Sequence, residues 1–293
     1  MFKQASKSQS KLRLAIIGPA GSGKTYTALR IAAGIGGETA VIDTERGSAS
    51  LYADKFHFDV CELPDRSPGG YCVAIEAAAK KDYPILIIDS LSHAWQELCE
   101  QVEKMAHAKF GGNTWAAWSE GTPIQRRFVD AMLNYPGHVI STMRVKTEWE
   151  IQADEKTGKK RPIRIGLTPE QRKGMEYEFT MLMQLSPEHV AHVLKDRTGK
   201  YQDAIIECPD ENMGVDLKMW LEEGSEPEAK PEPKAERPAI PMSAIGELNA
   251  YVLFKHVPEE RVQKMLKHYG VSELGDMTAE QAQEALTILK GKN

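Results

Sequence analysis

No apolar run in this 293-residue chain approaches the ~18 residues that a membrane-crossing helix needs. The polar opening Met1–Lys11 has no signal-peptide core. Cysteine is scarce: Cys61, Cys72, Cys99 and Cys208 are scattered, with no C-x-x-C pair. That argues against a zinc site or a disulfide framework and for small core residues in a reducing compartment. A basic surplus is missing too, since the formal net charge is −5 and does not by itself point to nucleic acid. These absences leave a soluble, cytoplasmic protein as the expectation. The length allows one large domain or two smaller ones, with a core that needs no staples.

What is present is sharper. Gly18-Pro19-Ala20-Gly21-Ser22-Gly23-Lys24-Thr25 follows the apolar run Leu12–Ile17. This is the pattern G-x-x-x-x-G-K-[ST] at the end of a buried strand and the start of a helix. The glycines let backbone N–H groups curl around phosphate oxygens, and the helix N-terminus adds positive potential. Lys24 is placed for the β- and γ-phosphates and Thr25 for Mg²⁺; Tyr26 extends the nucleotide-binding stretch. The expected ligands are ATP and Mg²⁺.

The first ~90 residues alternate strand and helix: strands at Leu12–Gly18, Thr39–Asp43, Phe56–Leu63 and Pro84–Asp89, helices at Lys24–Ala33 and Gly70–Lys81. Short apolar runs separated by helices predict an α/β fold, its parallel sheet covered on both faces. His138–Thr142 adds a strand, and Phe179–Leu185 with His189–Lys195 reads as an antiparallel hairpin at the far side of the sheet. The expected organisation is a flexible N-terminus (1–11), an ATPase core (12–221), a linker (222–241) and a small helical module (242–293). Glu222–Pro241 holds five prolines and alternating charge, a tether with little to bury. In the module, Pro258 opens a helix, Val262, Met265, Leu266 and Tyr269 form its apolar stripe, and Gly270 stops it. Thr278 and Gln281 form a capping box before Ala282, Leu286 and Leu289.

Asp89 ends a continuous apolar strand, expected beside the phosphate-loop strand, where a carboxylate suits Mg²⁺ and Ser90 could bond the metal's waters. Its alternative is an N-cap for the next helix. Glu45 stands two residues past the strand Thr39–Asp43, where a carboxylate can orient or deprotonate a water in line with the γ-phosphate. The alternative for Glu45 is an exposed loop acid, and Asp43 is a brace for the same loop.

Over residues 11–220 the chain resembles the ATPase core of RecA-type recombinases. More narrowly it is similar to phage-encoded RecA-like ATPases that act as single-strand annealing recombination proteins. The supporting residues are Gly18–Thr25, Asp43-Thr44-Glu45, Asp89-Ser90, Ile140–Arg144, and Arg172-Lys173-Gly174 through Phe179. The resemblance implies a RecA-like core, hydrolysis of ATP, single-stranded DNA as partner, a homo-oligomer (ring or filament), and the cytoplasm of a bacterial host. It makes Glu45 the water-activating carboxylate and Asp89 the Mg²⁺-associated acid. It puts Thr142 where the family usually has a glutamine that senses the γ-phosphate. Lys195 and Arg197 fall near a segment that reaches the neighbouring subunit's nucleotide, where such cations would count among the catalytic groups with Lys24; a solvated hairpin end is the alternative.

Arg144–Lys173 holds nine Lys/Arg and five Asp/Glu, a net of +4. Within it Lys156, Lys159, Lys160, Arg161 and Arg164 have no acid between them. With Arg144 and Lys146 they are the candidate nucleic-acid residues, read as a basic flexible loop or as a solvated charged hairpin. A second candidate runs from Lys109 through Trp115 and Trp118 to Arg126-Arg127, as base-stacking aromatics or as core at helical spacing. The C-terminal module resembles small helical tails of phage recombination proteins, which implies recruitment of a single-strand-binding protein or a hold on DNA. Two other classes stay open: a DNA-binding module that nucleotide only switches, and a P-loop kinase or remodelling ATPase.

Overall fold

Runs such as Leu14–Ile17 and Ile85–Ile88 have no polar face, so each must be covered on both sides. The computed structural model describes residues 9–153, 160–223, 248, 259–271, 274 and 277–290, with backbone alone at 148–153, 160–165, 259–260, 279 and 290. The chain divides into two compact units, Met1–Glu226 and Pro227–Asn293. The first runs β1 (Arg13–Gly18), α1 (Lys24–Ile35), β2 (Thr39–Asp43), β3 (Asp59–Glu62), α2 (Pro68–Lys80), β4 (Ile85–Asp89), α3 (Leu91–Lys109), α4 (Thr114–Leu133), β5 (His138–Ala153), β6 (Lys160–Pro169), β7 (Met181–Leu185), β8 (Val190–Asp196), β9 (Ile205–Glu207) and α5 (Glu211–Glu222).

The sheet order is β3-β2-β4-β5-β1-β7-β8-β9, parallel as far as β7 and antiparallel beyond it. The hairpin expected at the far side is β7–β8. One expectation is corrected: β4 does not adjoin β1. β5 lies between them, pairing Ile85–Ile88 on one side and Arg13–Gly18 on the other. Val139 through Met143 are buried on both faces of the sheet, as a central strand requires.

Alternation along each strand feeds two cores. Leu14 and Ile16 pack with α1 and α5, while Ala15 and Ile17 pack with α2 and α4. Helices α1 and α5 cross at glycines. A Cβ at Gly34 would sit 1.8 Å from the Glu211 carbonyl oxygen, and one at Gly214 would sit 2.2 Å from that of Ile31. Arg30 closes the crossing with a two-point ion pair to Glu211, at 2.9 and 2.5 Å. Gly34→Ala must push α5 off the sheet, so we expect a loss of about 1–3 kcal/mol, read as a lowered thermal midpoint.

A helix, α3, does follow Asp89, with Ser90 at its N-cap, and α4 carries Trp115 and Trp118 at helical spacing. Leu91, Ala94, Leu98, Val102 and Ala106 form the buried stripe of α3, and Trp95 stacks on Trp118 of α4 at 5.5 Å. Trp118 is therefore packed, while Trp115 is 88% exposed.

The basic segment is a β-hairpin rather than a loop. Only His138–Arg144 of β5 lie in the central sheet; from Val145 the strand pairs antiparallel with β6 out to Ala153–Lys160. Lys156 and Lys159 lie outside the described residues; Lys160, Arg161 and Arg164 are on β6, described by backbone alone. Of the four cysteines, all free, Cys61 and Cys208 are exposed rather than core, Cys99 is half-buried, and half-buried Cys72 packs against the core.

In the second unit, α7 (Ala279–Lys290) supplies Ala282, Ala285, Leu286 and Leu289 to a cluster with Leu248 and Met277, and Met265 and Tyr269 of α6 (Glu259–Tyr269) pack against it. The capping box forms: Thr278 N–H donates to Gln281 Oε1 (2.8 Å) and Gln281 N–H to Thr278 Oγ1 (3.3 Å). Gly270 ends α6 at φ +69°, and Pro258 lies outside the described residues. The segments 1–8 and 224–241 of the expected flexible end and linker also lie outside them. Among the described residues no helix is long and apolar enough to cross a membrane.

Candidate active site

The phosphate loop leaves β1 at Gly18 and enters α1 at Lys24, through Gly21 and Gly23 at φ +79° and +85°. At Gly23 only glycine combines that φ with the space available, since a Cβ would lie 3.1 Å from His189 Nδ1. The loop borders a cavity of about 1000 Å³. Gly18–Gly21, Gly23, Lys24, Thr25 and Tyr26 line it. Ser22, expected among these contacts, is fully buried, and its hydroxyl donates to the Pro19 carbonyl (2.9 Å). The Lys24 ammonium donates to the carbonyls of Gly18 (3.0 Å) and Pro19 (2.8 Å). Burial lowers its pKa, against the pull of Asp89 and Glu45.

Asp89 is held by two hydroxyls: Thr25 Oγ1 donates to Oδ2 (2.5 Å) and Thr142 Oγ1 to Oδ1. Burial, with Glu45 and Asp43 nearby, pushes its carboxyl above the usual range despite those two bonds. Thr142 is fully buried and does not line the cavity, so it meets Asp89 where a direct nucleotide contact was expected. Ser90 turns to Glu45, its hydroxyl donating to Oε1 (3.0 Å).

Glu45 owes its place to Asp43, whose carboxylate accepts from the N–H groups of Glu45 (2.6 Å) and Ala49 (3.0 Å). Beneath it Thr44 Oγ1 accepts from Ser90 N–H (3.0 Å) and contacts His93 Nδ1 (2.8 Å), while Tyr71 donates to the Ser90 carbonyl (2.6 Å). The Glu45 carboxylate faces the cavity and is clamped there by Arg144: Nε donates to Oε1 (3.0 Å) and an Nη to Oε2 (2.5 Å). Burial pushes Glu45 up, but the Arg144 bonds and charge, with His93 and Ser90, outweigh it and hold the carboxyl below its ordinary range. Burial likewise lowers the pKa of His93, whose Nε2 is 3.9 Å from Glu45.

Arg144 was expected on the nucleic-acid side; the structure puts its guanidinium on Glu45 instead. The missed signal is its spacing from Thr142: residues two apart on a strand share a face. Lys146, the next on that face, is exposed. Lys195 and Arg197 do not line this cavity. The Lys195 ammonium donates to the carbonyls of Glu176 (3.1 Å) and Tyr177 (2.8 Å), and Arg197 to that of Tyr177 (3.1 Å). Arg30, Tyr52, His189, Cys208 and Pro209, unforeseen, also line the cavity. Tyr26 packs there against Tyr52 (5.3 Å) and Phe56 (5.5 Å).

Residues 10–207 match the family described as AAA domain. The chain belongs to the AAA domain family. Its AAA domain is a P-loop ATPase domain, and the match runs from the strand before the phosphate loop to β9. No curated protein matches the chain.

A triphosphate with Mg²⁺ fits the residues that line this AAA domain's cavity. Thr25 and Asp89, already in contact, offer the one hydroxyl and one carboxylate that such an ion takes from protein, with phosphate oxygens and water as its other ligands. Among the described residues no group of three or more His, Cys, Asp or Glu forms a separate metal cage.

Proposed function

We propose that this AAA domain hydrolyses ATP and, as a RecA-like protein, assembles on single-stranded DNA to promote annealing or homologous recombination. The observation that carries the reading is convergence: Lys24 with Thr25, Glu45 and Asp89, from three separate stretches of the sequence, border one cavity. Lys24 moves from the loop carbonyls to the phosphates, and the α1 N-terminus directs its N–H groups at them. Thr25 and Asp89 hold Mg²⁺, which neutralises phosphate charge when bound. Glu45 orients the attacking water and takes its proton.

The DNA part rests on the β5–β6 arm. It is basic, it springs from the strand that carries Arg144, and Lys146 and Lys173 at its foot are exposed. Lys195 and Arg197, outside this chain's own cavity, suit a role towards a neighbouring subunit's nucleotide in a homo-oligomer. The C-terminal unit serves as the recruiting module for a single-strand-binding protein. Turnover measured with and without single-stranded DNA tests the reading. We expect stimulation at low salt, with affinity falling about 50-fold between 50 and 200 mM salt for four phosphate contacts. Absence of both stimulation and DNA binding at low salt would remove the DNA role and leave the ATPase.

A second reading, nucleotide as an assembly switch without hydrolysis, draws on the Arg144 clamp, which occupies the very carboxylate that hydrolysis needs. Glu45→Gln separates the two, because under the second reading it leaves turnover as it was.

A further inference from the structure

The clamp on Glu45 poses a chemical conflict. A carboxylate offers about four acceptor positions. Here Arg144 Nε and Ser90 Oγ take two on Oε1, and an Arg144 Nη takes one on Oε2. A water would find a crowded, weakly basic partner, whereas a general base works best near the operating pH. The clamp therefore belongs to a resting arrangement, and something must draw Arg144 away.

The residues around it say what. Arg144 is the β5 residue in register with Gly18, the first residue of the phosphate loop, and it lines the same cavity as Lys24, Thr25 and Asp89. Its backbone is fixed by an N–H bond to Ser92 Oγ (2.9 Å) and by the Glu170 N–H on its carbonyl (2.8 Å), so only the side chain is free to swing. That side chain is 42% exposed, so it moves without unpacking a core. A guanidinium fork fits a phosphate as well as it fits a carboxylate. A terminal phosphate entering beside Glu45 also brings two anions together, with Arg144 the cation between them.

We infer that Arg144 exchanges partners: it holds Glu45 when the third phosphate is missing and moves to that phosphate when a triphosphate binds, freeing Glu45 for water. Arg144 is then a catalytic residue acting within its own chain, and the cavity distinguishes tri- from diphosphate through it. This inference rests on Glu45 being the base proposed above.

The test compares the affinity of the full chain, with Mg²⁺, for ADP and for the non-hydrolysable triphosphate AMP-PNP. Arg144→Ala should cut the triphosphate preference by ~10-fold or more, the scale of one charged hydrogen bond. Arg144→Lys should keep part of it, and carries the test if the alanine variant melts early. The same pair is then measured in a Glu45→Gln background. A side chain that meets the phosphate loses the preference in both backgrounds. A preference that is unchanged, or that falls only when Glu45 is present, overturns the inference and leaves Arg144 a brace. Turnover of Glu45→Gln alone reads the base assignment separately, so a failure there is distinguishable from a failure of the exchange.

Discussion

Glu45→Gln is expected to lower ATP turnover by about 10²–10⁴-fold while nucleotide binding persists. The substitution keeps shape and size and removes the negative charge, and with it the ability to take a proton. The scaffold around it does not depend on that charge. Asp43 places residue 45 through a backbone N–H, and the network of Thr44, Ser90, His93 and Tyr71 lies beneath. Binding should therefore be spared, and by weakening the pair with Arg144 it should even tighten for a triphosphate. A steady-state assay beside titration of AMP-PNP reads both quantities. Turnover near wild type would move the base elsewhere.

Lys24→Ala is expected to be the more damaging change, because it acts on binding and on chemistry together. Among the described residues Lys24 is the one ammonium on the cavity wall, and its lowered pKa reflects burial that leaves it poorly hydrated. Two backbone carbonyls hold it in the free chain, and phosphate oxygens are the stronger acceptors. Removing a single donor of this kind costs about 10²–10³-fold in turnover. We expect that loss plus a visible drop in nucleotide affinity, with a thermal midpoint close to wild type, since among the described residues the Lys24 ammonium bonds backbone carbonyls alone. An unchanged affinity would mean that the phosphates lie elsewhere.

Much of this site can be read from the chain before any coordinates. Gly18–Thr25 carries its own geometry, and the apolar runs ending at Asp43 and Asp89 show where strands deliver carboxylates to one sheet edge. The capping box at Thr278 and the stop at Gly270 are equally local signals. What escapes is non-local. That β5 inserts between β4 and β1 depends on pairing among residues far apart, and periodicity is silent about strand order. The Arg144–Glu45 clamp joins residues 99 apart. The α4 helix is masked by Gly121 and Pro123 within it, both residues that ordinarily argue against a helix. The arm does carry a period-two signal, Val145, Trp149, Ile151 and Ala153 alternating with Lys146, Glu148, Glu150 and Gln152, but the run of basic residues from Lys156 to Arg164 reads equally well as a loop, and only the pairing of the two strands decides between them.

Every role proposed for this site requires that Lys24, Thr25, Asp89 and Glu45 surround a single magnesium-bound triphosphate. Calorimetric titration of the full chain with AMP-PNP, with and without Mg²⁺, tests it most directly. We expect one site per chain whose affinity depends on Mg²⁺ and collapses in Asp89→Asn, where the ion loses its carboxylate. Binding that is indifferent to Mg²⁺ and to Asp89→Asn, or no heat at all, would contradict it.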